Sequence, residues 1–103
     1  MPSLDQLHAL LQNDPDDPFL LYALAQEHAK AGSHPEAIRW YDRCLEADPH
    51  YAYAYFHKAR SQQAAGDLAA AVETLRRGLA SARASGDTHA SAELSGYLDE
   101  IEP

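Results

Sequence analysis

The apolar residues of this chain recur three and four positions apart, the spacing that places side chains on one face of an α-helix. Near the start, the pattern consists of four leucines: Leu4, Leu7, Leu10 and Leu11. Near the end, it consists of five residues: Ala90, Leu94, Tyr97, Leu98 and Ile101. The segments between them also have one apolar face each, so the chain is predicted to be a series of amphipathic helices.

Residues that favour helix starts and ends divide the chain into six segments. Two serines stand three positions before a glutamine or glutamate, which is the spacing of a capping box: Ser3 with Gln6, and Ser33 with Glu36. Asp17 before Pro18 predicts a further helix start. Proline is tolerated in the first turn of a helix, because the N–H that it lacks would have no hydrogen-bond partner there. Three glycines stand where a helix end needs positive φ: Gly32, Gly66 and Gly86. We expect helices near residues 3–13, 18–31, 34–47, 52–65, 67–84 and 87–101.

The pattern also repeats with an offset of 34 residues. The matching pairs include small, turn and aromatic residues: Ala25 with Ala59, Gly32 with Gly66, Ala37 with Ala71, Phe19 with Tyr53, and Tyr22 with Phe56. Leu4, Ile38 and Val72 align at the same offset, so the match extends toward the start of the chain. Such a period indicates stacked helical hairpins, in which the alanines let two backbones approach closely.

These positions resemble the tetratricopeptide repeat family, whose unit is a helical hairpin of the same length. The first full unit carries the pattern at Leu21, Leu24, Ala25, Gly32, Ala37, Tyr41, Leu45 and Pro49. The second carries it at Tyr55, Ala59, Gly66, Ala71, Leu75 and Leu79. The resemblance implies an all-α fold, a right-handed α-solenoid of antiparallel hairpins with a C-terminal capping helix.

The resemblance also implies how the single domain 1–103 is divided. We expect a leading half repeat at 3–15, full repeats at 18–51 and 52–85, and the capping helix at 87–101. The second repeat departs from the family pattern at three positions: Lys58, Gly78 and Arg83. Because Arg83 stands where a helix-ending proline is expected, the helix before it should continue by about one turn.

The charge balance is acidic, with 16 Asp and Glu residues against eight Lys and Arg residues. This balance works against a general nucleic-acid role, because a negative surface repels phosphate backbones. All eight basic residues lie between Lys30 and Arg83, so any surface that attracts anions is predicted to be central. A salt-rich cytoplasm is an alternative explanation of the acidity.

Cys44 is the only cysteine, so no intramolecular disulfide is possible and a reducing compartment is the simpler assumption. No apolar run is long enough for a membrane span, and the amino end has no basic and apolar leader. We therefore expect a cytoplasmic protein that does not bind membranes.

Candidate catalytic and metal-binding residues give weak patterns. Four of the six histidines invite a metal or enzyme hypothesis: His28, His34, His50 and His57. None of them has the spacing of a zinc motif, and the isolated glycines form no phosphate loop. Cys44 is expected to be a buried apolar residue rather than a nucleophile. We expect no enzymatic activity, no cofactor and no metal.

The resemblance implies that the first helix of each repeat lines the inner curve of the stack. Helical spacing then places nine residues on two neighbouring stripes: Phe19, Tyr22, Gln26 and Lys30 on one, and Tyr53, Phe56, His57, Arg60 and Gln63 on the other. The stripes are aromatic at one end and cationic at the other. This arrangement suits a protein or peptide segment with an apolar anchor and an acidic or carboxylate group.

The resemblance limits that hypothesis. Family members that hold a terminal carboxylate use Lys, Asn and Arg on these stripes, whereas Tyr22 and Gln26 stand in two of those places here. Only Arg60 has a comparable role. An alternative for Phe19 and Tyr53 is packing against the preceding helix, and Trp40 is expected to lie between neighbouring helices.

A second function is self-association through the first helix. Leu4, Leu7 and Leu10 lack the partner helix that would cover them in a complete repeat, and an exposed apolar patch often marks an interface. Binding in the groove and self-association are compatible with one another.

Overall fold

The computed structural model describes residues 2–102, and the part it describes contains six helices and no strand. The helices are α1 (Leu4–Asn13), α2 (Pro18–Lys30), α3 (His34–Ala47), α4 (Ala52–Ala64), α5 (Leu68–Ser85) and α6 (Thr88–Ile101). All six predicted helices are present, and their bounds agree with the predictions to within one residue. None of the described helices is long and apolar enough to cross a membrane.

Two of the three predicted helix starts are confirmed. Ser3 and Gln6 form the capping box, in which each side chain accepts a hydrogen bond from the other residue's backbone N–H. The Asp17 carboxylate accepts from the first free N–H groups of α2. The capping box at Ser33 was a wrong prediction, since its hydroxyl makes no capping bond to any described residue. The ψ of Ser33 is 65°, against 168° at Ser3, and Glu36 pairs instead with Arg39.

The helix ends follow the predicted chemistry. Gly32, Gly66 and Gly86 have φ values of 79°, 88° and 75°, which confirms the need for glycine at these turns. Helix α5 has 18 residues whereas α3 has 14. The predicted extension past the missing proline is therefore confirmed, and Arg83 lies in the last turn of α5.

Neighbouring helices pack in sequence order, and α4 also contacts both α2 and α6. The four alanines predicted at the helix crossings are fully buried: Ala25, Ala37, Ala59 and Ala71. Because contacts also join alternate helices, α2, α4 and α6 form one continuous side of the array. The molecule is an all-α helical repeat solenoid of 40 × 30 × 20 Å.

The core consists of two apolar clusters, one built mainly by α1, α2 and α3 and the other by α4, α5 and α6. Leu7 is only 2% exposed and belongs to the first cluster, so the prediction that it lacks a covering partner was wrong. Leu7 belongs to the same cluster as Leu21 of α2 and Tyr41 of α3, the two helices of the first hairpin. Leu4 is half-buried, and Leu10 is 49% exposed.

Candidate binding groove

The side of the array formed by α2, α4 and α6 contains two adjoining hollows, which together we call the inner groove. The α2–α4 hollow has a volume of about 310 Å³ and is lined by Gln26, Ala29, Lys30, His34, Tyr41, His57, Arg60, Ser61 and Ala64. The α4–α6 hollow has a volume of about 660 Å³ and is lined by Phe56, Arg60, Gln63, Ala92, Glu93, Gly96, Tyr97 and Glu100. Arg60 lines both hollows.

The Arg60 side chain is the central charge of the inner groove. It is exposed, and it makes no ion pair with any residue from 2 to 102. Burial lowers the pKa of His57, and the nearby guanidinium of Arg60 lowers it further. Burial raises the pKa of Tyr97, and Arg60 opposes that rise. The guanidinium therefore acts on groups in both hollows.

Tyr22 lines neither hollow and is packed among neighbouring rings instead. Its ring centroid is 5.1 Å from Tyr51, 6.0 Å from Tyr41 and 6.0 Å from His57. Burial among these rings raises the pKa of Tyr22 to about 12. The side chain of Tyr22 is half-buried, and it packs against the apolar core beside the two stripes.

Gln26 and Lys30 both line the α2–α4 hollow, as their position on the first stripe predicted. The buried hydroxyl of Tyr41 donates a hydrogen bond to Gln26 Oε1, which fixes the side chain of Gln26. Lys30 Nζ lies 3.6 Å from a carboxylate oxygen of Glu27, one helical turn earlier, and remains mostly exposed.

Phe19 and Tyr53 are 63% and 53% exposed, so the alternative that they pack against the preceding helix was wrong. Each is the second residue of its helix, and both lie at the same end of the groove. Tyr53 and Phe56 line a small cleft of about 60 Å³ against Ala90 and Leu94 of α6. Phe19 lines none of these hollows and lies at the rim.

Helix α6 forms a wall of the groove that sequence reasoning missed. The residues it contributes are Ala92, Glu93, Gly96, Tyr97 and Glu100. The hydroxyl of Tyr97 donates to Gln63 Oε1 at 2.6 Å, and its ring centroid is 5.1 Å from that of Phe56. The signal was present as a second stripe of α6, beside the buried Ala90 and Leu94. Tyr97 was instead counted among the core positions of that helix.

The chain's other candidate groups have structural partners. Cys44 is fully buried, and burial raises the pKa of its thiol to about 12, so the thiol stays protonated at neutral pH. His34 Nδ1 lies 3.2 Å from Ser61 Oγ, and His50 Nδ1 lies 2.7 Å from Ser81 Oγ. Within residues 2–102, no three His, Cys, Asp or Glu side chains converge as a metal site would require.

Trp40 lies between helices, which confirms its prediction. Its ring stacks on His28 of α2 at 6.4 Å and meets the edge of His8 of α1 at 5.6 Å. The guanidinium of Arg43 lies 4.8 Å from the centre of the Trp40 ring. Arg43 therefore points to the α1 side of the array rather than toward Cys44.

A family model described as "Tetratricopeptide repeat" matches residues 28–93, and a second model with the same description matches residues 3–52. The chain belongs to the tetratricopeptide repeat family. The hairpin of α2 with α3 and the hairpin of α4 with α5 are separated by the same offset of 34 residues in the sequence.

Relatives of this tetratricopeptide repeat protein match it along nearly its whole length. A TPR repeat-containing protein of Pseudomonas aeruginosa is 31% identical over 99 residues, covering 96% of this chain and 94% of the relative. The solution structure of a tetratricopeptide repeat domain protein from Salinibacter ruber is 32% identical, with a TM-score of 0.79 over 86% of this chain and 90% of that one. The TPR2B domain of yeast Sti1, in its complex with pHsp70, is 26% identical, with a TM-score of 0.86 over 95% of this chain and 78% of that one.

At two positions of the first stripe, this tetratricopeptide repeat protein has side chains that contact other residues of the protein itself. Tyr22 packs on neighbouring rings, and Gln26 is fixed by its bond to Tyr41. These are the two places where the family's carboxylate clamp has Lys and Asn. The exposed Lys and Arg side chains that line the groove are Lys30 and Arg60, while the lowered pKa of His57 keeps its imidazole neutral at neutral pH.

Proposed function

We propose that this protein is a noncatalytic interaction module that binds a segment of a partner protein in the inner groove. An acidic or carboxylate group of the segment lies beside Arg60, and its apolar residues contact the aromatic side chains of α4. We further propose the division predicted from the sequence, with a leading half repeat at 3–15, repeats at 18–51 and 52–85, and a capping helix at 87–101.

The observation that carries this proposal is the position of Arg60. Its guanidinium lines both hollows and has no ion-pair partner among the described residues. An exposed cation bordered by half-buried rings gains more from a bound anion than one surrounded by water, because the low-dielectric walls strengthen the attraction. The aromatic side chains of Phe56 and His57 provide those walls.

Similarity to the yeast Sti1 domain gives independent support. That domain has the same arrangement of helices and is in a complex with pHsp70. The similar fold makes its use as a binding module a reasonable expectation for this chain. The identity of the ligand does not carry over, because two positions of the clamp differ here.

Self-association through α1 is a second candidate function. Leu10 is 49% exposed and, with Pro2, Gln6, Ala9 and Asn13, lines a largely apolar hollow of about 460 Å³. A second copy that covered Leu10 would remove this surface from water. Sedimentation of the wild type and of Leu10→Gln across a wide concentration range tests it, and a wild type that stays monomeric throughout would reject it.

The groove proposal is tested by selecting a random dodecapeptide library, displayed on phage, against the immobilised protein. We expect enriched peptides to lose about tenfold in affinity or more for Arg60→Gln, because a charge-assisted contact contributes about 1.5–3 kcal/mol. Arg83→Gln is the matched control, since Arg83 is an exposed arginine that lines neither hollow. It removes the same charge and should leave the affinity unchanged.

Two results would contradict the groove proposal. One is the absence of any enriched peptide. The other is an equal effect of Arg60→Gln and Arg83→Gln on the affinity, which would show a response to net charge rather than to the groove. Circular dichroism of both variants establishes that the helices are intact.

A further inference from the structure

The two hollows of the inner groove have opposite electrostatic character. The α2–α4 hollow is lined by the cations Lys30 and Arg60 and by no carboxylate among the described residues. The α4–α6 hollow is lined by the carboxylates of Glu93 and Glu100, with Arg60 at the border between the two. The groove therefore changes sign along its length, from positive at α2 to negative at α6.

The α4–α6 hollow combines these carboxylates with an aromatic wall. The rings of Phe56 and Tyr97 lie 5.1 Å apart, tilted by 54°. A cation is attracted both to the face of an aromatic ring and to a carboxylate, and these attractions add when the cation lies between them. Gly96 also lines this hollow and leaves space in it, because an added side-chain carbon there would meet no atom within 4 Å.

The two carboxylates, Glu93 and Glu100, differ in whether a described side chain already pairs with them. Glu93 Oε1 lies 2.7 Å from Nε2 of His89, which is exposed at the rim of the groove. Glu100 forms no ion pair with any residue between 2 and 102, and its negative charge raises the pKa of Tyr97. Glu100 is therefore the carboxylate that is available to a ligand, close to the aromatic wall.

We infer that the partner segment carries a lysine or arginine side chain that enters the α4–α6 hollow while its acidic group lies over the α2–α4 hollow. This inference rests on the proposed function and specifies the partner's chemistry. The aliphatic stem packs on Phe56 and Tyr97, and the charged end reaches Glu100. Among the described residues that line the α4–α6 hollow, Arg60 is the one Lys or Arg, and the bound acidic group neutralises its repulsion of the basic side chain.

Segments of uniform charge fit the groove less well. A wholly acidic segment places a carboxylate beside Glu93 and Glu100, and a wholly basic one places a cation beside Lys30 and Arg60. Like charges at close range are unfavourable, so the groove discriminates against both. A segment of mixed charge is also held in one direction along the groove, since reversing it brings like charges together.

The test uses the phage-displayed dodecapeptide library on three forms of the protein: wild type, Glu100→Gln and Asp99→Asn. Asp99 is a matched control, because it is an exposed carboxylate on the same helix that lines no hollow of the groove. We expect wild type and Asp99→Asn to enrich peptides with a Lys or Arg at a fixed distance from an acidic residue. Glu100→Gln should keep the acidic preference and lose the basic one.

A thermodynamic cycle makes the test quantitative. One enriched peptide is synthesised with its basic residue and with Gln in that place, and both are titrated against wild type and Glu100→Gln. We expect the basic peptide to bind wild type about tenfold more tightly than its Gln version. That ratio should fall to about one in Glu100→Gln, while Asp99→Asn retains the full ratio.

The outcomes separate this inference from the proposed function. Enriched peptides that depend on Arg60 but contain only acidic and apolar residues would overturn the inference and leave the proposed function standing. An unchanged ratio in Glu100→Gln would overturn it as well. If no peptide is enriched by the wild type, the proposed function fails and this inference fails with it.

Discussion

Gly78 and Gly96 are glycines inside helices, and their surroundings are opposite. A side-chain carbon added at Gly78 would lie 2.6 Å from Tyr55 Cβ, closer than such atoms approach in proteins. Gly78 therefore lets α4 and α5 pack with a tyrosine at their contact. At Gly96 the added carbon would meet no atom within 4 Å, so the same residue type leaves an open floor in the groove.

This contrast predicts opposite effects of one substitution on stability. Gly78→Ala should lower the free energy of unfolding by about 1–2 kcal/mol, because overpacking against Tyr55 outweighs the better helix propensity of alanine. Gly96→Ala should raise it by up to about 1 kcal/mol, since only the propensity changes. Urea denaturation measures both. If Gly78→Ala were as stable as Gly96→Ala, the contact with Tyr55 would not be as tight as described.

Buried titratable groups predict how stability depends on pH. Burial raises the pKa of Cys44 from 9.0 to about 12 and that of Tyr22 from 10.0 to about 12. It also raises the pKa of Tyr41. The folded state thus holds these protons more tightly than the unfolded state. The stability they contribute is complete below the unfolded pKa values and is lost as the pH rises from these values toward the folded ones.

The urea midpoint should therefore be level from about pH 7 to about pH 8.5 and fall progressively from about pH 9 upward. Cys44→Ala removes the group that ionises first in the unfolded chain, so its midpoint should fall less than that of wild type between about pH 9 and 10. A wild-type midpoint that stays constant to about pH 11 would show that these groups are not buried as described.

The contacts of single residues were the hardest features to predict from the sequence. The capping box at Ser33 has the right sequence, but the backbone of the Gly32 turn directs the serine away from the helix start. Leu7 was expected to lack a covering helix, yet it belongs to the apolar core of the first hairpin. In both cases the deciding contact comes from residues that local spacing does not identify.

At the scale of elements, the helices could be predicted because their signals are local. Periodicity, caps and turn glycines fix each helix from a few neighbouring residues. The role of α6 could not be predicted in the same way. It was interpreted as a capping helix from its position at the end of the match, but it also supplies a wall of the groove through Tyr97 and Glu100.

The attachment of α6 depends on its buried leucines. Leu94 is fully buried in the second apolar cluster, with Ala90 and Leu98 beside it. Leu94→Ala should cost about 2–5 kcal/mol, the usual range for a leucine truncated in a core. Because repeats contact mainly their neighbours, amide hydrogen exchange should accelerate more in α5 and α6 than in α2 and α3.

Leu24→Ala is the mirror-image control for that experiment. Leu24 is fully buried in the first cluster, so its truncation should accelerate exchange more in α2 and α3 than in α5 and α6. Equal acceleration along the chain in both variants would mean that the two clusters unfold only as one unit. The proposed independence of the array's two ends would then be wrong.

At the scale of the molecule, the acidic balance conceals an uneven distribution of charge. The cations of the inner groove come from α2 and α4, whereas α6 contains no Lys or Arg. The central cationic surface expected from the sequence corresponds to Lys30 and Arg60. Six of the nine residues assigned to the two stripes line one of the two hollows: Gln26, Lys30, Phe56, His57, Arg60 and Gln63. Tyr53 lines only the small cleft against α6. The sign change toward α6 needed the third helix and could not be predicted from two stripes.

The central claim is that this protein recognises its partner through the inner groove, and amide chemical-shift mapping by NMR tests it most directly. A library-selected peptide is titrated into the labelled protein. If the segment binds in the inner groove, the largest shifts fall on α2, α4 and α6, around Lys30, Arg60 and Gly96. Largest shifts around Leu10 of α1, or on the outer helices α3 and α5, would contradict it.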